Sequence, residues 1–127
     1  MWPAVRRLAA DEQRAFTHVP TVDRRRARVV GVPVLTPGVA GMTLGRFVLL
    51  RRGHERDRAL LAHELVHVRQ WRELGVPRLL WRYLAAYLRG RRSGLDHAAA
   101  YHAIPLEAEA RHLAAALGHW CTSEVRE

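Results

Sequence analysis

Two regimes of apolar spacing divide the chain near residue 55. Beyond it, apolar residues recur every three or four positions; before it they fall in short β-branched blocks. Asp57 is placed to N-cap a helix on which Leu60, Leu61, Leu65, Val66, Val68, Trp71 and Leu74 form one apolar surface. Gly75 supplies its stop, and Pro77 opens the next helix at N1. That second helix is predicted to run to about Arg89, with Leu80, Leu84, Tyr87 and Leu88 on one side and Gly90 at its end. A short helix begins near Asp96, and Pro105 opens a fourth, Leu106 to Leu117, stopped by Gly118.

The first half is less regular. Residues 2–16 read as a short helix with Val5, Leu8 and Ala9 on one side, and residues 17–28 as a polar connection. Val29 to Leu35, broken by Gly31 and Pro33, suggests a short edge strand. Thr36 to Gly41 is turn chemistry, and Arg46 to Arg51 is a strand closed by Gly53. The pattern therefore predicts an α+β fold: an N-terminal sheet of two or three strands, then a helical bundle. One domain over residues 1–127 is expected, with its core at about 29–118.

Composition narrows the class. A hydrophobic fraction of 49% and a charged fraction of 26% suit a globular chain. Cys121 is alone, which excludes an internal disulfide. No apolar run has signal-peptide form or reaches the ~18 residues of a spanning helix. The expectation is a cytoplasmic protein without a membrane partner. The net charge of +9 raises nucleic acid as a partner. All 21 basic residues are arginine, however, which points to nucleotide-composition bias, and no aromatic-interleaved motif accompanies them. Trp71, Trp81 and Trp120 are read as core.

The chemistry lies in His63-Glu64-Leu65-Val66-His67. Residues four apart stack on one helix face, so both imidazoles can reach one ion about 2 Å away. Glu64 lies about 100° round the helix, off the ligand face but able to reach a water beside the metal as general base. With 8 His and 8 Glu in 127 residues, chance would produce this motif roughly 0.03 times. Two histidines with a carboxylate and an open position suit Zn2+.

A third protein ligand is required. Glu73 is rejected: Gln70 stands where a helix-breaking glycine would be needed, so the helix continues and turns Glu73 away. Glu107 is favoured because it shares a face with Ala110 and Ala114, which permit close helix approach. Glu109, which shares a side with Leu113 and Ala116, is the second choice, and His102 and His112 complete the candidates. Tyr101 is the first candidate for an oxyanion donor, beside Tyr83 and His102.

Gly41 to Leu49, then Leu60 to Trp71 with its HExxH element, then Tyr101 and Pro105 to Ala110, resemble in order one known group. It is the zinc-metallopeptidase domain found in proteins associated with extracellular contractile injection systems, and the resemblance spans about residues 36–117. It implies a minimal zincin-like fold and a bound metal. The glutamate pattern is also similar to the broader gluzincins, by which Glu107 is the ligand. Arg111 then stands where those proteins carry an Asp supporting a zinc histidine; a guanidinium cannot accept that histidine's N–H. The expected activity is a zinc metalloendopeptidase acting on a protein or peptide laid along the edge of strand Phe47–Leu50. A zinc-stabilised binding module and a basic DNA-associated metalloprotein are the alternatives.

Overall fold

The computed structural model describes residues 4–35 and 39–116. In chain order these form Val5–Arg6 (β1), Ala10–Ala15 (α1), Thr21–Arg26 (α2), Arg28–Val32 (β2), Gly41–Leu44 (β3) and Phe47–Arg51 (β4). Four helices follow: Arg58–Leu74 (α3), Val76–Arg92 (α4), His97–His102 (α5) and Pro105–Ala115 (α6). The fold is α+β, with the sheet first and the long helices after it. Among the described residues no helix is long and apolar enough to cross a membrane.

The sheet is mixed, in the order β1-β2-β4-β3. β2 and β4 run parallel with Val29 opposite Val48, while β3 and β4 form an antiparallel hairpin with Thr43 opposite Val48. This order corrects three expectations. The sheet has four strands among the described residues, not two or three. β2 is not an edge strand, because the two-residue β1 adds to its outer side. β4 is interior as well, so the edge beside the helices is β3, and a peptide cannot be added along Phe47–Leu50. Strand order is set by pairing between distant segments, which no local pattern encodes.

Near the N-terminus, the predicted helix over 2–16 divides into β1 and α1, and the polar connection contains α2. These short elements are held by tertiary contacts, since six residues are too few to be helical alone. Arg6 donates to both carboxylate oxygens of Glu12, at 2.6 and 3.0 Å, and to the Glu55 carbonyl. Asp23, fully buried in α2, receives Nε and an Nη of Arg72 at 2.6 and 2.9 Å, tying α2 to α3.

Helix boundaries in the second half follow local signals. Asp57 accepts the Leu60 amide, and Asp96 the Ala99 amide. Gly75 turns the chain from α3 into α4 at φ 77°, a conformation that favours glycine. α4 continues through Gly90 to Arg92, two residues past its expected stop, before Ser93 and Gly94 end it. Thr36 to Gly38, Leu117, Gly118, Trp120 and Cys121 lie outside the described residues.

α3 packs against the sheet on one side and α6 on another. Leu61, Ala62, Leu65, Val66 and Val68 meet Phe16, Val19, Val29, Val48, Leu50 and Ala110 in the main core. Trp71 is half-buried. Trp81, expected in the core, is 70% exposed: α4 turns it outward and buries Leu79 instead.

Arg72→Ala leaves the buried Asp23 carboxylate without its cation. It is expected to lower the unfolding free energy by about 3 kcal/mol, the low end for a broken buried pair because Arg72 itself is partly exposed. Urea titration measures this, and a loss of only a few tenths would show that the pair does not anchor α2.

Candidate metal centre

On the α3 side facing α6, the four-residue spacing sets the rings of His63 and His67 edge to face, with centroids 5.1 Å apart. Glu107 enters from the first turn of α6, which Pro105 opens and which Ala110, fully buried, allows close to α3. Its Oε2 lies 3.1 Å from Nε2 of His63 and 3.1 Å from Nε2 of His67. A tetrahedral zinc with bonds of about 2.0–2.1 Å requires ligand atoms about 3.3 Å apart, so these separations fit one. Among the described residues these three form the one group of His, Cys, Asp and Glu side chains able to meet at a metal, their ligand atoms within 4.8 Å of one another.

The remaining candidates go elsewhere. Glu109 accepts from Arg69 and Gln70, His102 and His112 are exposed outside the cluster, and Glu73 pairs with Arg69. Arg111 donates to the His102 carbonyl and takes no part in supporting a histidine. That support comes from Gln70, one turn beyond His67 on the same helix. The Gln70 amide nitrogen donates to the Leu106 carbonyl and to Glu109, both pure acceptors, so its oxygen faces His67 Nδ1 at 2.7 Å. Nδ1 is therefore protonated in both the charged and the neutral ring, and only in the neutral ring is the Nε2 lone pair directed at the centre. From the sequence Gln70 stands out only as a non-glycine; the signal for this role is its i+3 spacing from His67.

Glu107 is held by two phenols. Tyr101 donates to its Oε1 at 2.6 Å and Tyr83 at 3.0 Å, leaving Oε2 for the histidines. Tyr101, expected as an oxyanion donor, is thus engaged on the carboxylate. Burial and the Glu107 charge raise both phenols above the ordinary tyrosine range, so they remain donors at neutral pH. Glu64 is buried beside the cluster, its Oε1 accepting from the Thr43 hydroxyl of β3 at 2.9 Å. Burial raises its pKa against the opposing pull of His67, His63 and Thr43. β3 comes this close to Glu64 because Gly41 has no side chain: a Cβ there would sit 3.0 Å from Leu50 and 3.4 Å from Cγ of Glu64.

The edge of β3 has its own pattern. Arg51 N–H donates to the Ala40 carbonyl, so pairing alternation turns the backbone groups of Gly41 and Thr43 away from β4. The Thr43 carbonyl is taken by the Trp71 indole N–H at 3.1 Å. The backbone groups of Gly41 and the Thr43 N–H are directed to the same outer edge.

Burial opposes charging His67, but the hydrogen bond and charge of Glu107, with the charge of Glu64, outweigh it and raise its pKa. Burial of Glu107 is likewise outweighed by hydrogen bonds from His63 and His67, and its pKa falls well below the usual carboxylate range. A raised imidazole pKa contributes stability that is complete below about 6.5 and is lost as pH rises through the folded-state value. Chelator-treated protein is therefore expected to melt at progressively lower temperature as pH is raised from 6 to 9, and a flat or rising profile would contradict the pairing. With zinc as the ion, Gln70→Leu is expected to weaken affinity by about 10–100-fold in competition with a chromophoric chelator. Unchanged affinity would show that His67 needs no such partner.

The family model described as the eCIS core domain matches residues 6–75. The match begins at β1 and ends at Gly75, earlier at both ends than the resemblance over 36–117. It takes in the sheet, His63, Glu64, His67 and Gln70, and stops before Tyr83, Tyr101 and Glu107. No curated protein and no solved structure matches the chain. Because the matched segment covers more than half of the 127 residues, the chain belongs to the eCIS core domain family, which links it to extracellular contractile injection systems.

Proposed function

We propose that the protein is a zinc-dependent peptidase in which His63, His67 and Glu107 hold the metal and Glu64 is the general base. One observation carries this reading: three ligand atoms from two helices lie within 4.8 Å of one another, the Glu107 oxygen 3.1 Å from each imidazole nitrogen, with a second, separately held carboxylate beside them. A purely structural site has no need for that second carboxylate.

Bound zinc would polarise a peptide carbonyl and acidify a coordinated water. The chain's own residues do the rest. Thr43 fixes Glu64 through Oε1, so Oε2 is the oxygen left to take a proton and return it to the leaving amine. The raised pKa of Glu64 moves it toward the working pH of a general base. Tyr83 and Tyr101 keep Glu107 presenting a single oxygen, and Gln70 keeps His67 presenting Nε2. An extended peptide would pair along the outer edge of β3, through Gly41 and the Thr43 N–H, directly above Glu64. Trp71 closes that edge at the Thr43 carbonyl, so few backbone bonds are offered. A short contact of this kind suits a narrow substrate or one delivered by a partner.

The test is a zinc count per chain together with hydrolysis of an unstructured peptide pool. Wild type and Glu64→Gln are each expected to hold about one zinc, while His67→Ala and Glu107→Ala lose it. Cleavage by wild type should fall by about 10²–10⁴-fold in Glu64→Gln. Zinc in wild type without any cleavage would leave a metal-stabilised binding module. Absence of zinc after reloading would overturn the reading altogether.

A further inference from the structure

α4 carries two apolar sides, and only one of them is used inside the molecule. Leu79 is buried, and Tyr83, half-buried beside it, reaches Glu107. On the outer side, Leu80, Trp81, Leu84 and Leu88 are 53%, 70%, 53% and 42% exposed. At 100° per residue these four fall within about 100° of one another, forming a ridge about two and a half turns long. Arg78, Arg82 and Arg89 fall within about 40° of one another beside it. Arg91 and Arg92 flank its C-terminal end, and all five arginines are exposed. No acidic residue occurs anywhere in α4.

We propose that this face of α4 docks on an anionic lipid surface. A helix with leucines and a tryptophan on one side and arginines beside them lies in the headgroup plane, its apolar ridge in the acyl boundary. The arginines then meet lipid phosphates, with which they pair well. The ridge is convex and offers no groove, so a deformable layer fits it without a matched partner shape. A second copy of the chain fits poorly, because its α4 offers no acid to pair with the five arginines. At 17 residues and with five arginines, α4 lies on such a surface and does not span it. The expectation of no membrane partner, drawn from the absence of a spanning run, is thereby narrowed to the absence of insertion across the bilayer. Because Tyr83 projects from the inner side of the same helix, docking would also fix the orientation of the His63–His67–Glu107 cluster relative to the lipid, on the far side of α4. The proposal is independent of the peptidase reading and stands or falls without it.

Co-sedimentation of the purified full chain tests it. The probes are vesicles of phosphatidylglycerol and phosphatidylcholine in equal parts, and vesicles of phosphatidylcholine alone. Binding to the anionic vesicles is expected, with little to the neutral ones. It should weaken about tenfold or more both in Trp81→Gln with Leu84→Gln and in Arg78→Gln with Arg82→Gln. Circular dichroism and thermal unfolding check that each variant stays folded. If the apolar pair fails to fold, the arginine pair and the lipid comparison decide. No binding of wild type to anionic vesicles would overturn the proposal and leave an acidic protein surface as the occupant. Undiminished binding by the apolar pair would also overturn it, reducing the effect to the net charge of +9. A wild-type dimer in sedimentation that the apolar pair dissolves would overturn it as well, making the face an interface between copies.

Discussion

Glu107 Oε2 sits 3.1 Å from two imidazole nitrogens, and much of the helical half serves to keep it there. The oxygen belongs to α6 and the nitrogens to α3, so the cluster exists only while those helices are packed. Ala110 at the contact makes the packing close. Pro105, in the first turn of α6, is compatible with a helix start, and Glu107 two residues later profits from the helix N-terminus. Tyr83 from α4 and Tyr101 from α5 then hold the other carboxylate oxygen. Four helices thus converge on one side chain.

Gathering two carboxylates and two imidazoles in a mostly buried region is unfavourable unless each has partners. Each carboxylate here is satisfied from an element that the core already fixes: Thr43 from β3 for Glu64, and the two phenols for Glu107. His67 is completed by Gln70, itself held by Leu106 and Glu109 on α6. Apolar replacements of buried ionic clusters are often neutral or stabilising. Stability alone therefore does not account for this cluster, whose three ligand atoms lie close enough together to meet at one cation.

Membership in the eCIS core domain family rests on residues 6–75, which contain the two histidines, Glu64 and Gln70. The carboxylate that completes the cluster and both phenols come from the segment after it. The shared portion thus carries half of the centre, and the following helices of this chain complete it. The same following helices carry the outward ridge of α4, so completion of the centre and presentation of that surface are properties of one segment.

Local chemistry makes α3, α4, α5 and α6 legible from the amino-acid sequence alone. Caps, prolines and a positive-φ glycine act within a few residues, and helical spacing shows which side is apolar. The same locality makes His63, Glu64 and His67 legible, because an i, i+4 pair defines its own geometry. It extends to Gln70 too, since an acceptor for His67 can be sought one turn further along the helix. β1, α1 and α2 are not legible in this way: two- and six-residue elements have no period to read and exist through pairing with β2 and through Asp23–Arg72. Strand order is equally hidden, since Phe47–Arg51 looks the same at an edge as in the interior. For Glu107, the sequence by itself narrows the third ligand to a short set of candidates. Only the packing of α6 on α3 brings one carboxylate within 3.1 Å of both imidazoles and sends Glu109 to Gln70, because contacts across 40 residues depend on where whole helices come to rest.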